Sequence, residues 1–135
     1  MNSFTLAAEY VTDTVGLIVY FEKRRLGKQA QQIFDSTENA STIVYVPAMV
    51  FAEILYLSEK KRISASLPDI ILLLQNHPNF REYPMTQAVI ESAEQITDIP
   101  ELHDRLIAAT AKYLNLELIT TDPKITNSSF VTTIW

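Results

Sequence analysis

The sequence of 135 residues contains no cysteine and only two glycines, Gly16 and Gly27. The lack of cysteine excludes disulfide bonds and thiolate metal sites, and it fits a reducing compartment such as the cytoplasm. With two isolated glycines, the chain has no glycine-rich loop of the kind that holds phosphates in dinucleotide-binding and P-loop proteins. These two classes of nucleotide-binding site are therefore excluded.

Long apolar runs are also missing. The longest uncharged apolar run is far shorter than the roughly 18 residues that a membrane helix needs. The N-terminal stretch MNSFTLAAEYVTD has no basic segment followed by an apolar one, so we expect no signal peptide. Since 47% of the residues are hydrophobic and 20% are charged, the composition is that of a soluble globular protein. We expect one domain over residues 1–135, cytoplasmic and without a membrane segment.

Short β-branched segments alternate with longer helical patterns along the chain. We predict strands at Ala8–Thr12, Thr42–Val46, Phe80–Pro84, Glu117–Thr121 and Phe130–Ile134. We predict helices at Thr14–Arg25, Lys28–Ser36, Pro47 to about Lys61, Leu67–Gln75, Thr86–Gln95 and His103–Asn115. The alternation favours a three-layer α/β/α fold with a central, mainly parallel sheet of about five strands. Right-handed crossovers place every strand-to-helix turn at the carboxyl edge of that sheet, where sites of such folds lie.

Four acidic residues are predicted to face this edge. Asp13 ends the first strand, and Asp122 ends the strand ELITT. Asp104 lies in the first turn of its helix, on the same small apolar face as Ile107. Glu53 lies within the helical stretch VPAMVFAEILYL, among apolar neighbours. The three aspartates also suit simple capping or helix-dipole roles, which leaves two interpretations open for each. Glu53 has no such role, and a buried carboxylate without a partner is costly.

Together the four acids predict a metal site. If they converge, their charges repel one another, and a bound cation removes that repulsion. Ligand sets made only of oxygen suit Mg²⁺ or Mn²⁺. Two such ions about 3.5–4 Å apart activate a water molecule and stabilise the leaving oxygen of a phosphodiester. We therefore predict metal-ligating and catalytic roles for Asp13, Glu53, Asp104 and Asp122, with Glu53 as a buried ligand of the metal.

At these residues the chain resembles the PIN-domain family, and most closely the small VapC-type toxin ribonucleases of type II toxin–antitoxin modules. The resemblance rests on VTDTVGLIVYF, VPAMVFAEILYL and HDRLIAATAKYLNLELITTD. It implies a PIN fold, hydrolysis of RNA by an Mg²⁺- or Mn²⁺-dependent endoribonuclease, homodimerisation and a cognate antitoxin protein. The chain departs from the family pattern at Val15, where many members carry Asn or Ser. It departs again at Pro123 and Lys124, where many carry a further acid.

Residues around the acids are interpreted in two ways. Thr14 and Thr121 flank acids and orient ligands or water, or they make only local hydrogen bonds. Arg105 follows Asp104 and contacts RNA or an acid at the rim, unless it is a solvated flank of its helix.

Positive charge is scarce, since the net charge is −5, and this sum argues against nucleic acid as a partner. The basic residues are, however, unevenly distributed along the chain. Seven of the eleven basic residues form two groups: Lys23, Arg24, Arg25 and Lys28, then Lys60, Lys61 and Arg62. Both groups end predicted helices, where cations complement the helix dipole or guide RNA phosphates towards the acids. We assign possible RNA contacts to Lys23, Arg24, Arg25 and Arg105.

Other functions remain open on the sequence. A non-catalytic PIN-like module that binds RNA or protein is one alternative, and a housekeeping PIN nuclease without an antitoxin is another. A receiver-like phospho-acceptor also carries acids at a sheet edge, but it needs paired acids after the first strand and does not explain Glu53. The stretch IILLL is apolar all round its helix, which predicts a dimer or antitoxin surface on one side.

Overall fold

The computed structural model describes residues 7–135; residues 1–6, which belong to the stretch expected not to be a signal peptide, lie outside the described residues. Five strands and seven helices occur within residues 7–135. The strands are β1 (Ala8–Thr12), β2 (Thr42–Pro47), β3 (Phe80–Tyr83), β4 (Glu117–Ile119) and β5 (Thr133–Ile134). The helices are α1 (Thr14–Phe21), α2 (Lys28–Glu38), α3 (Ala48–Glu59), α4 (Leu67–Asn76), α5 (Gln87–Gln95), α6 (Leu102–Leu114) and α7 (Pro123–Thr126).

The sheet formed by residues 7–135 is parallel throughout, in the order β3-β2-β1-β4-β5. From the central strand β1 the chain moves to β2 and β3 on one side, and it returns to β4 and β5 on the other. Open α/β sheets bind ligands where the strand order reverses, in the crevice outside the carboxyl ends of the strands. Here that place lies between the ends of β1 and β4.

Helices cover both faces of the sheet. Leu118 and Ile119 are neighbours in β4, so their side chains point to opposite faces, and both are fully buried. A parallel sheet buried on both faces shows such continuous apolar runs. The predicted three-layer α/β/α class is therefore confirmed. No helix within residues 7–135 combines the length and apolar character of a membrane span.

Several predicted boundaries are wrong by a few residues. Helix α1 ends at Phe21 and not at Arg25, because Lys23 adopts the left-handed conformation (φ 56°). Strand β4 ends at Ile119, so Asp122 follows it by three residues and does not end the strand. Strand β5 is limited to Thr133–Ile134, shorter than the predicted Phe130–Ile134.

Helices α1 and α3 lie side by side, and hydrogen bonds connect both ends of α1 to α3 or to the loop that follows it. At one end the Thr14 hydroxyl donates a hydrogen bond to Glu53 Oε1. At the other end Glu22 Oε2 accepts hydrogen bonds from Ser64 N, Ser64 Oγ and Ala65 N at 2.9, 2.7 and 3.0 Å. The second contact joins the two basic groups of the sequence. We call the exposed cations there the basic end: Lys23, Arg24, Arg25, Lys60, Lys61 and Arg62.

Candidate functional site

One pocket at the carboxyl edge of β1 brings the four predicted acids together. Its volume is about 360 Å³, and Thr14 and Thr121 also line it. We call it the acid pocket; its acidic lining residues are Asp13, Glu53, Asp104 and Asp122. They come from four separate segments: the end of β1, the middle of α3, the first turn of α6 and the turn after β4. The strand-order reversal beside β1 is what places these segments at one point.

Asp13 is the most buried of the four, with 6% of its surface exposed. It caps helix α1, because its Oδ1 accepts a hydrogen bond from Gly16 N at 2.7 Å. Its Oδ2 accepts a hydrogen bond from Thr120 Oγ at 2.6 Å. Burial raises the pKa of Asp13 to about 6, against the lowering effect of these two hydrogen bonds, and the charges of Asp122 and Glu53 raise it further.

Thr120 was not among the predicted site residues, which included Thr121 instead. The Thr120 side chain is buried, and its hydroxyl donates to Asp13 while accepting a hydrogen bond from Asp122 N at 3.1 Å. This single hydroxyl therefore fixes two of the acidic positions relative to each other. Thr121 lines the pocket but is exposed. The signal in the sequence was a Thr-Thr-Asp run, which does not say which threonine turns inward.

Gly16 is a second residue that the sequence analysis did not assign. A Cβ at this position would lie 3.0 Å from Asp13 Oδ1 and 3.1 Å from Thr12 Oγ1. The lack of a side chain thus lets the Asp13 carboxylate approach the backbone of α1. A glycine three residues after an N-cap aspartate, inside a helix where glycine is unfavourable, was the available signal.

Glu53 corrects one expectation. It is half-buried and not fully buried, and the Thr14 hydroxyl contacts its carboxylate. Glu53 therefore has a hydrogen-bond donor within the chain. The expectation that this face of the helix points inward is met only in part: Val50 is fully buried, whereas Tyr56 is 51% exposed. The carboxylate consequently sits at the boundary between the core and the pocket.

Asp104 lies at the mouth of the pocket, half-buried. Glu101 supplies the cap of α6, because its Oε2 accepts a hydrogen bond from Asp104 N at 2.7 Å. The Asp104 carboxylate is thus not needed as a cap. Partial burial raises its pKa, and the negative charges of Glu101, Asp122 and Glu53 raise it further.

Asp122 keeps one of the simpler roles left open by the sequence. It caps the short helix α7, since its Oδ1 accepts a hydrogen bond from Lys124 N at 3.0 Å. Each carboxylate has two oxygens with two lone pairs each, so capping does not prevent Asp122 or Asp13 from binding another ligand.

The donor set has the chemistry of a site for hard divalent cations, since it offers carboxylate and hydroxyl oxygens and no sulfur. The pKa values of Asp13 and Asp104 are raised chiefly by burial and further by neighbouring carboxylates, and a bound cation would offset both effects. Within residues 7–135, however, no three Asp, Glu or His side chains stand close enough together to hold a metal ion. Coordination of one ion by three or more of these side chains therefore requires some of them to change position.

The predicted RNA contacts are not brought to the pocket. Lys23, Arg24 and Arg25 are exposed beyond the far end of α1, whose eight residues span roughly 12 Å at ~1.5 Å per residue. Arg105 is half-buried and does not line the acid pocket; its Nε is buried without a hydrogen-bond partner among the described residues. Arg105 is therefore not a solvated flank of α6.

Three solved structures share the fold of this chain. The first is VapBC2 from Rickettsia felis bound to a promoter DNA fragment, with a TM-score of 0.72, 14% identity and coverage of 94% of this chain and 98% of that chain. The second is DNA-bound VapBC from Salmonella typhimurium, with a TM-score of 0.67, 13% identity and coverage of 96% and 98%. The third is FitAcB from Neisseria gonorrhoeae, with a TM-score of 0.64, 20% identity and coverage of 93% and 96%.

These low identities show a shared fold and nothing more. No curated protein sequence matches the chain at a significant level. A family-level match does exist, and it extends over residues 10–130, which include all four acids of the pocket. On that match, the chain belongs to the PIN domain family.

Proposed function

We propose that this protein, as one nuclease domain over residues 1–135, is an Mg²⁺- or Mn²⁺-dependent endoribonuclease that hydrolyses RNA phosphodiester bonds. The observation that carries the proposal is the convergence of four carboxylates from four chain segments in one pocket. Carboxylates that crowd together and raise one another's pKa are expected where a cation is the missing partner. Family membership adds to this argument, since PIN domains are generally nucleases.

The proposed ligands of the metal are Asp13, Glu53, Asp104 and Asp122. Bound divalent cations would lower the pKa of a water molecule and stabilise the leaving oxygen of the phosphodiester. The chain itself fixes the positions of two ligands: Thr120 and Gly16 hold Asp13, and Thr14 holds Glu53. Ile107 and Ile125 also line the pocket, and their apolar side chains strengthen electrostatic interactions near them.

The test is cleavage of a mixed, structured RNA pool by purified protein in Mg²⁺, in Mn²⁺ and in EDTA. Asp104→Asn, purified in parallel, controls for a contaminating nuclease. We expect metal-dependent cleavage by the wild type and a loss of at least about 100-fold in the variant, the scale of removing one preorganised transition-state contact. Equal cleavage by both proteins would contradict the proposal.

A non-catalytic module that binds RNA or protein is the second candidate. It is favoured by the absence of a preformed cluster of three metal-ligating side chains within residues 7–135. The same experiment separates the two candidates. A folded wild type that binds Mn²⁺ and RNA but cuts no RNA of the pool would support the binding module.

We further propose that the protein is the toxin of a toxin–antitoxin pair, located in the cytoplasm. The similar solved structures are complexes of VapBC and FitAB, which supports an antitoxin partner. A short reading frame beside its gene, whose product binds the protein and blocks cleavage, is the expected finding. Cleavage without any such inhibitor would favour a housekeeping nuclease.

Helix α4 offers a surface for the proposed homodimer. Ile70 is buried, but Ile71 and Leu72 are 42% and 53% exposed on the other side of the same helix. Exposed neighbouring aliphatic side chains of this kind mark protein interfaces. Sedimentation of the wild type and of Leu72→Glu should show a dimer and a monomer, respectively.

A further inference from the structure

A second, more apolar pocket adjoins the acid pocket. Its volume is about 540 Å³, and we call it the side pocket. Its lining residues are Met49, Ala52, Glu53, Tyr56, Leu57 and His103. Glu53 and Leu57 line both pockets, so the two pockets adjoin at these residues. A ligand that reaches the acids from this direction must cross the side pocket.

Tyr56 is the aromatic residue of the side pocket, and 51% of its surface is exposed. Two cations of the basic end stand near its ring: Lys60 Nζ is 5.8 Å and Arg62 Cζ 5.9 Å from the ring centroid. An exposed aromatic ring next to cations is the combination with which proteins bind single-stranded nucleic acid, because bases stack on the ring and cations attract phosphates.

One helix sets the spacing of these groups. Met49, Glu53, Tyr56 and Lys60 follow one another at intervals of four, three and four residues, which places them on one face of α3 and its C-terminal end. At ~1.5 Å per residue, Tyr56 lies about 4.5 Å and Lys60 about 10.5 Å beyond Glu53 along the helix axis. Along this face of α3, the proposed metal ligand Glu53 is therefore followed by the aromatic ring of Tyr56 and then by the cation of Lys60.

We propose that the side pocket binds the base of an unpaired RNA nucleotide next to the scissile phosphate. In this arrangement Tyr56 stacks on the base, and Lys60 contacts a phosphate of the RNA backbone. This inference rests on the proposed nuclease function and adds the part of the site that selects single-stranded RNA. The cations at the Tyr56 ring favour a polyanion over an apolar peptide as the occupant.

The test measures binding without cleavage. Asp104→Asn protein in Mg²⁺ is titrated against fluorescent single-stranded RNA, and Tyr56→Ala and Tyr56→Phe are added to it. Stacking on an aromatic side chain is worth about 1–3 kcal/mol per base, which corresponds to about a 5- to 150-fold change in Kd. We expect a loss in this range for Tyr56→Ala and less than about a twofold change for Tyr56→Phe.

Two controls sharpen the experiment. Tyr113→Ala removes a tyrosine of similar exposure, 47%, that lines neither pocket, and it should leave the Kd unchanged. Lys60→Gln should reduce the slope of log K against log salt by about 0.7, the value for one phosphate contact of a single strand. An abasic nucleotide at the stacked position should weaken binding to the parent protein but not to Tyr56→Ala.

The outcomes distinguish this inference from the nuclease proposal. If the wild type cleaves RNA and Tyr56→Ala binds RNA as tightly as its parent, the inference is wrong and the nuclease proposal stands. A Tyr56→Ala protein that loses only self-association in sedimentation would assign the side pocket to a second copy of the chain, which also overturns the inference. If the wild type neither binds nor cleaves RNA, the nuclease proposal itself fails.

Discussion

Helix α1 carries a carboxylate at each end, and the two are held in opposite ways. Asp13 caps its start, is almost completely buried and has its pKa raised to about 6. Glu22 ends it, accepts three hydrogen bonds from Ser64 and Ala65, and has its pKa lowered, chiefly by the Ser64 hydroxyl. Ionisation of Asp13 therefore destabilises the start of the helix, whereas ionisation of Glu22 stabilises its end.

The difference separates a carboxylate that is stabilised within the chain from one that, on the proposed function, binds a metal ion. Glu22 finds all its partners in the chain, with side-chain and backbone donors on a neighbouring loop. Asp13 also has two donors, but burial and the nearby Asp122 and Glu53 outweigh them. On the proposed function, a bound cation is the partner that offsets the cost of burying this charge.

The largest expected effect on stability belongs to Asp13→Asn. The proton held by Asp13 stabilises the fold fully below its unfolded pKa of 3.8, and this contribution is lost as the pH rises through about 6. Asparagine caps helices equally well and stays neutral. In EDTA at pH 7.5 the variant should be more stable to urea by up to about 3 kcal/mol, and the difference should vanish well below the unfolded pKa of 3.8.

Asp35→Asn, at an exposed position of α2, is the matched control and should change the unfolding free energy by less than about 0.5 kcal/mol. A less stable Asp13→Asn protein at pH 7.5 would mean that the two hydrogen bonds outweigh burial.

Added Mn²⁺ should raise the melting temperature of the wild type. At a concentration 100 times the Kd, the gain in unfolding free energy is about 2.7 kcal/mol. Asp104→Asn should lower this gain because it removes a carboxylate of the acid pocket, whereas Glu22→Gln should keep the full gain. The same increment in all three proteins would place the cation outside the acid pocket. Differential scanning fluorimetry is sufficient for the measurement.

Thr120→Val removes the hydroxyl that joins Asp13 to the Asp122 backbone while preserving the shape of the side chain. Leaving two buried partners without this hydroxyl should cost about 1–2 kcal/mol of unfolding free energy. It should also weaken Mn²⁺ binding by about tenfold, the lower range for residues that orient metal ligands. Thr121→Val, which changes an exposed neighbour, is the control and should resemble the wild type. Similar losses in both variants would argue against the bridging role.

Glu22→Gln tests the other end of α1. Loss of the charge to which three donors bind should lower the free energy of unfolding by about 1 kcal/mol. The effect is this small because solvent screens a partly exposed charge. The pH dependence should be opposite to that of Asp13. The stability contributed by Glu22 is present above its unfolded pKa of 4.5 and is lost as the pH falls through its lowered pKa in the folded protein. An equal deficit at pH 3 and pH 7 would contradict this assignment.

Glu53→Gln should have the smallest effect on the metal-free fold, within about 0.5 kcal/mol of the wild type. The glutamine oxygen can still accept the hydrogen bond from Thr14, and the half-buried negative charge is removed. Equilibrium unfolding in EDTA measures the difference. A clear loss of stability would mean that the Thr14 contact depends on the charge of Glu53.

The sequence was sufficient to predict the architecture and the edge where the acids meet. The alternation of strands and helices defines a parallel sheet, and the acids follow from their positions next to those strands. Helix ends were harder to predict, because Lys23 adopts a positive φ without being glycine or asparagine. Such an end is fixed by the contact of Glu22 with the loop after α3, which lies about 40 residues further along the chain.

The partners of the acids depend on tertiary structure in the same way. Thr14 and Glu53 are 39 positions apart, and Thr120 and Asp13 are 107 apart. Choosing Thr120 over Thr121 requires knowing that β4 ends at Ile119 and how the chain turns afterwards. Periodicity specifies which face of a helix or strand is buried, but it does not specify which side chains of other segments contact that face.

The separation between Thr120 and Asp13 has a consequence during protein synthesis. The acids of the pocket extend from residue 13 to residue 122, and β4, which directly precedes Asp122, completes its pairing with β1 only after residue 119 has emerged. A nascent chain shorter than this lacks Asp122 and the hydroxyl that holds Asp13. On the proposed function, a nascent chain that stops before residue 122 is an incomplete nuclease, so the message being translated meets the finished site only after Asp122 has emerged from the ribosome.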